Sequence, residues 1–118
     1  MVSIGILGLG NWGSAIAKMW LDEGHKVKGW TIESEVYESI TMDNINHKYL
    51  PKLSLKGMDV SMHIADTIEG VEVVVLAVPS SVILEVVDQV IPHLRPRHVL
   101  LDLAKGLAPD NQMISHAI

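Results

Sequence analysis

The sequence predicts an α/β fold, a doubly wound parallel sheet of about five strands with helices on both faces. Two observations carry this prediction. Short, almost uncharged apolar runs alternate along the 118 residues with longer segments of helical spacing. The runs, Ser3–Leu7 and the almost uncharged Val71–Val78 above all, are apolar at mostly consecutive positions rather than alternate ones. That is the pattern of strands covered on both faces, as in a parallel sheet between helix layers.

Each element follows in order. Ser3–Leu7 is a first strand, stopped by Gly8. Residues 11–23 have helical spacing, with Ile16, Met19, Trp20 and Glu23 at steps of three and four, Ala15 and Ala17 as small fillers, and Gly24 where a helix terminates. Val27–Trp30 is a second strand, and Glu33 to Met42 a short helix. Residues 43–57 are irregular, because Asp43, Asn44, Asn46, Pro51 and Gly57 are turn formers and breakers. Val60–Met62 is a brief third strand, and Ala65–Glu69 supplies one or two helical turns. Val71–Val78 is a fourth, valine-rich strand closed by Pro79. Val82, Ile83, Val86, Val87, Val90 and Ile91 form a helical stripe despite valine's β preference. Val99–Leu103 is a fifth strand, and Pro109-Asp110 opens a last helix carrying Met113, Ile114 and Ala117. With no interior linker or repeat, residues 1–118 read as one domain. The last helical pattern reaches Ile118 without a cap, which reads as a fragment of a longer protein.

Composition narrows the function. Hydrophobic residues make up 48% and charged residues 19%, which excludes a disordered chain. There is no cysteine, so disulfide frameworks, zinc–cysteine sites, iron–sulfur clusters and thiol nucleophiles are excluded together. Fourteen acids against nine Lys and Arg give a net charge of −5, which argues against nucleic acid as a partner. The longest apolar run, Val73–Pro79, is seven residues, too short for a membrane span, and no basic segment precedes the first apolar run as in a signal peptide. The expected location is the cytoplasm. The six histidines show no metal-ligand spacing, and neither a G-x-S-x-G elbow nor a P-loop is present.

The chemistry is concentrated in Gly8-Leu9-Gly10-Asn11-Trp12-Gly13. This G-x-G-x-x-G follows a predicted strand and opens a predicted helix, the context in which the motif has a physical meaning. In a Rossmann-type dinucleotide site the first glycine makes a tight turn and the second lets backbone approach the pyrophosphate. The third lets helix and strand pack closely, and the helix N-terminus offers N–H groups and partial positive charge to the phosphates. The second half of the fingerprint is an acid beyond the second strand. Glu33 lies 20 residues after Gly13. A carboxylate there accepts hydrogen bonds from the adenosine ribose hydroxyls and repels a 2′-phosphate, which favours NAD, with NADP as the alternative. Glu33 is equally suited to opening a helix, and Glu35 competes for either role. No arginine lies between Trp30 and Tyr37 to hold a 2′-phosphate, although Lys28 precedes them closely.

Two further sites follow strand ends, where ligands of open parallel sheets bind. Pro79 and Ser80 close the fourth strand, so backbone and Ser80 can meet the nicotinamide ribose, or Ser80 or Ser81 can simply cap the next helix. Lys105, beside Gly106 after the fifth strand, is a candidate for a substrate carbonyl or phosphate, or an ordinary solvated lysine. Asp102 is either its buried partner or a strand-end acid.

The ordered set Gly8–Ala17, Gly24-His25-Lys26-Val27, Trp30, Asn46–Pro51, Ala77-Val78-Pro79-Ser80 and Lys105-Gly106 resembles the N-terminal domain of the NAD(P)-dependent glycerol-3-phosphate dehydrogenases. The resemblance spans essentially the whole chain, and N-x-x-Y-L-P with the late K-G pair sets it apart from other G-x-G-x-x-G proteins. It implies a cofactor domain followed by a helical substrate domain, and hydride exchange between NAD(P)H and dihydroxyacetone phosphate, a small phosphorylated substrate, to give sn-glycerol 3-phosphate. It also implies cofactor contacts at Asn11 and Trp12, and a Lys105 that meets both cofactor and substrate, the remaining catalytic groups lying in the helical domain. The chain alone is therefore expected to bind cofactor weakly and turn over little or nothing. Many bacterial members carry a basic residue where this chain has Ile32, followed by Glu33, and this departure again points to NAD. Two alternatives stand beside this reading. One is the cofactor domain of another small-substrate dehydrogenase, of 6-phosphogluconate or ketopantoate type. The other is a non-catalytic nucleotide-sensing module. Oligomeric state is not fixed by the sequence.

Overall fold

The structure is a computed structural model and describes residues 2–79, 81–96 and 98–103. The elements are β1 (Ser3–Leu7), α1 (Asn11–Asp22), β2 (Lys26–Trp30), α2 (Ser34–Asp43), β3 (Asp59–Ser61), α3 (Ile64–Ile68), β4 (Val73–Leu76), α4 (Ile83–Val90), a 3-10 turn (Ile91–His93) and β5 (Val99–Asp102). The five strands form one parallel sheet in the order β3-β2-β1-β4-β5. The fold is therefore the Rossmann-like arrangement that the alternation of runs predicts. The expected helix after residue 108 lies outside the described residues.

The strand order places β1 and β4 side by side at the centre, where the chain switches from building leftward to building rightward. A crevice opens at such a switch point, outside the carboxyl ends of the strands. Register puts Ile4 beside Val73 and Leu7 beside Leu76. Side chains in register share a face, so the sheet has two apolar sides. Leu7, Trp30, Val74 and Leu76 pack against Ile64 and Ile68 of α3 and Ile83, Val86, Val87 and Val90 of α4. Ile4, Ile6, Val27 and Val75 pack against Ala17 of α1, Val36 and Ile40 of α2, and Leu55 and Met58 of the following loop. Each side of the sheet therefore carries an apolar layer, which is why the central strands lack alternation.

Several boundaries differ from expectation for physical reasons. The fourth apolar run extends from Val71 to Val78, yet β4 has only four residues. Gly70 turns the chain at φ +77°, and Val71 N–H is still bonded to Ile68 O at 3.2 Å. At the other end the ladder stops because β1 turns away at Gly8. Val71 and Val78 are buried without being strand. The helix predicted over 82–91 is α for eight residues and then tightens to 3-10 at Ile91, because Pro92 has no N–H to continue the α-helical hydrogen-bond ladder. No serine caps α4. Its N-cap is Val82, without a side-chain cap, and Val82 N–H instead bonds Pro79 O at 3.0 Å.

The stripe predicted on α1 is also corrected. Gly13, Ser14 and Ala17 are its buried residues, whereas Met19 is exposed and Ile16 and Trp20 are half-buried. The helix approaches the sheet on its smallest side chains because the glycine turn fixes its distance. Its end is as predicted. Gly24 stands at φ +90°, its N–H bonds Leu21 O at 3.0 Å, and His25 N–H bonds Trp20 O at 3.0 Å. Those two bonds are a Schellman termination, and the left-handed position is the reason for glycine there.

Candidate functional site

The glycine turn leaves β1 at the switch point. Gly8 N–H donates to Trp30 O at 2.9 Å, and Ala77 N–H to Leu7 O at 2.9 Å, so the ends of β1, β2 and β4 are tied together under the turn. Gly8 has φ +113°, and a Cβ there would lie 2.8 Å from Ala77 O. At Gly13 a Cβ would lie 1.8 Å from Gly8 O, so helix and turn are in backbone contact. Gly10 is different. Its backbone is extended at φ −80°, and an added Cβ would meet nothing within 4 Å. The first and third glycines are thus used for internal packing, and the second faces open space.

Gly10 is also the N-cap of α1, with no side-chain cap, and the first turn holds no acid. The first intrahelical bond is Ser14 N–H to Gly10 O at 3.0 Å. The N–H groups before Ser14 therefore have no partner within the helix and lie beside the cradle at Gly10. Asn11 and Trp12 are exposed in that turn, Trp12 at 69%. This is the donor set a dinucleotide pyrophosphate needs, and the residues fit that group.

The irregular segment after α2 supports the turn from behind. Asn46 is fully buried, and its Nδ2 donates to Leu9 O at 2.7 Å and to Ser14 Oγ at 2.9 Å. Ser14 Oγ in turn donates to Leu9 O at 3.1 Å. Tyr49 N–H donates to Asn46 Oδ1 at 3.1 Å. One amide thus fastens residues 46–49 to the glycine turn. The signal for it, an asparagine in N-x-x-Y-L-P, is visible in the sequence, but its partners 37 and 32 residues earlier are not.

Glu33 stands where the fingerprint requires, just past β2, as the N-cap residue of α2. Its side chain makes no capping bond and turns instead to the residues following Asn46. Lys48 Nζ bonds Glu33 Oε1 and reaches Glu35 Oε1 at 2.9 Å, while Tyr49 Oη donates to Glu33 Oε2 at 2.8 Å. The Lys48 ammonium holds the Glu33 carboxyl below its ordinary range, and Glu33 and Glu35 together raise Lys48. The hydrogen bond to Glu33 raises the Tyr49 phenol. At neutral pH the cluster has two carboxylates, one ammonium and a neutral phenol. All of it is exposed or half-buried, so it contributes little to stability and acts through its charge.

Lys28, the other lysine near Glu33 in sequence, faces away. Its Nζ donates to Asp66 O at 3.2 Å and Glu69 O at 2.8 Å, closing the end of α3. It lines a cleft of about 370 Å³ with Tyr37, Ser61, His63 and Asp66, to which no residue of the glycine turn contributes. Pro79 lies three residues beyond β4 and is exposed. Asp102 is buried at the carboxyl end of β5. Ser80, Lys105 and Gly106 lie outside the described residues. Among the described residues there is no cluster of acids and histidines fit for a metal, and no helix long and apolar enough to cross a membrane.

Residues 3–118 match the model of the NAD-dependent glycerol-3-phosphate dehydrogenase N-terminus. The chain belongs to that family. It is 35% identical over 109 residues to a glycerol-3-phosphate dehydrogenase (NAD(P)+) of Anaeromyxobacter dehalogenans, covering 92% of this chain and 33% of that protein. It is 34% identical over 113 residues to the corresponding protein of Syntrophotalea carbinolica, covering 95% of this chain and 34% of that one. Among solved structures, the glycerol-3-phosphate dehydrogenase of Coxiella burnetii superposes with a TM-score of 0.81 at 27% identity, over 86% of this chain and 31% of that one. The chain spans about a third of the length of these curated relatives. The glycine turn, the Asn46 brace and the Glu33 cluster are the candidate site among the described residues.

Proposed function

We propose that this chain holds NAD(H) across the carboxyl end of its sheet, as the cofactor domain of an enzyme that interconverts dihydroxyacetone phosphate and sn-glycerol 3-phosphate, working in the cytoplasm. The observation that carries the reading is the open cradle at Gly10, set before an uncapped, acid-free helix N-terminus at the switch point. The pyrophosphate would lie on the N–H groups of the first α1 turn, and Glu33 would receive the ribose hydroxyls. Asn11, Trp12 and Pro79 would contact the cofactor toward its nicotinamide end, and Ser80 and Lys105, which lie outside the described residues, are assigned to the nicotinamide ribose and the reacting end from the sequence. The bound nicotinamide supplies the hydride; the chain's own residues bind, orient and exclude water.

The test is calorimetric titration with NADH and, separately, NADPH. Saturable binding with NADH preferred is the expected result, and no binding of either sinks the proposal. Gly10→Ala sharpens it. The extended backbone and empty surroundings at Gly10 accept a methyl group, so Tm should be unchanged or slightly raised, the change staying within about 1 kcal/mol. The same methyl occupies the cradle, so NADH affinity should fall about tenfold or more, the size of a lost close backbone contact to phosphate. Unchanged affinity would remove the pyrophosphate from Gly10.

A further inference from the structure

Glu33 by itself would exclude a 2′-phosphate by charge, but here it is not by itself. Both of its oxygens have partners, Lys48 on one and Tyr49 on the other, and Lys48 also spans to Glu35. The Lys48 ammonium lies 5.3 Å from the centre of the Tyr49 ring, which adds a second attraction holding it there. Lys48 comes from the loop after α2 and crosses to the end of β2. The nearer lysine in sequence, Lys28, is turned into α3.

We infer that Lys48 is a specificity residue, the cation that weakens this site's discrimination between NAD and its 2′-phosphorylated form. The inference rests on the dinucleotide reading above. Two carboxylates and one ammonium leave the cluster with a single net negative charge. A 2′-phosphate brings close to two more negative charges to this position. Lys48 is able to turn from Glu33 and Glu35 toward that phosphate, because its side chain is 43% exposed and its bonds cross solvent-facing surface. A ribose diol, being neutral, gains less from the same ammonium. Lys48 therefore raises affinity for the phosphorylated cofactor more than for the plain one, and NAD preference in this chain is shallower than Glu33 alone would make it.

Lys48→Met and Glu33→Gln test this, each titrated with NADH and NADPH at low salt. Both positions are solvent-facing, and a thermal melt checks that each variant folds. Lys48→Met should widen the NADH-over-NADPH affinity ratio about three- to tenfold, mostly by loss of NADPH binding, as one partly screened charge acting on a dianion would. Glu33→Gln should narrow the ratio, since it leaves Lys48 with one carboxylate fewer. An unchanged ratio in Lys48→Met, with both cofactors still bound, overturns the inference and leaves the dinucleotide reading intact. Failure of the unmodified chain to bind either cofactor overturns both.

Discussion

Gly13→Ala should unfold the chain or leave it barely folded. The backbone at this position is ordinary helix, so no conformational penalty is involved. The obstacle is contact, because the new methyl carbon would sit 1.8 Å from the carbonyl oxygen of Gly8 and 3.3 Å from the Ala77 side chain. No rotamer relieves a clash at Cβ. Either α1 moves outward, opening the layer that packs Ala17 against Ile4 and Ile6, or Gly8 moves and breaks its bond to Trp30 O. Overpacking of backbone against backbone costs about 4 kcal/mol or more, a large share of the ~5–15 kcal/mol that holds a domain folded. The expected readout is a Tm lowered by roughly 15 °C, or loss of the cooperative transition. A Gly13→Ala protein within a few degrees of the parent would show that helix and turn are not in the contact described. The same methyl is destructive at Gly13 and harmless to folding at Gly10, three residues earlier in the motif.

Asn46→Asp should be nearly as damaging, although Asn46 is remote in sequence from the motif it supports. The exchange is isosteric, yet it replaces the Nδ2 donor with an oxygen facing Leu9 O and Ser14 Oγ. At neutral pH it also places a carboxylate in a fully buried position with no cation among the side-chain and backbone groups bonded to it. Burying an uncompensated charge costs about 3–5 kcal/mol. Acid should relieve the loss. The folded carboxyl holds its proton more tightly than the unfolded one, so the deficit is full at high pH and shrinks as pH falls toward the unfolded value. Asn46→Leu, uncharged but without donor or acceptor, should cost about 2–3 kcal/mol at every pH. Urea melts of the two variants at neutral and mildly acidic pH check both statements. Equal, pH-independent losses would mean that the position is solvated. Cofactor affinity should fall in both variants, because Leu9 O belongs to the turn that presents Gly10.

The order of elements was legible from the sequence because both faces of the central strands β1 and β4 are covered. Consecutive apolar residues in Ser3–Leu7 and Val71–Val78 carry that information directly. Strand ends were less legible, since Val71 and Val78 are as buried as β4 while lying outside it. Apolar sequence reports burial, whereas a ladder also needs a partner of matching length. The α1 face was misread for a related reason. Hydrophobicity selects Ile16, Met19 and Trp20, but the close approach at Gly13 selects whichever residues are small enough to fit.

The candidate site divides along the same line. Three glycines at fixed spacing after a strand, and an acid 20 residues on, are local signals, and they located the turn and Glu33. Their division of labour is set in space, because Ala77 crowds Gly8 and Gly8 crowds Gly13 while Gly10 alone of the three has no neighbour and is free to receive a ligand. The Asn46 brace and the Lys48–Glu33–Tyr49 cluster join residues far apart in the chain. The residue types were visible, and the N-x-x-Y-L-P segment marked them as a group. Which atoms they meet was decided by the loop after α2 folding back over the ends of β1 and β2. Sequence determined the alternating layers and the phosphate-binding turn, because periodicity and glycine spacing act over a few residues. Tertiary structure alone decided the charge that surrounds Glu33, because electrostatics depends on distance in space.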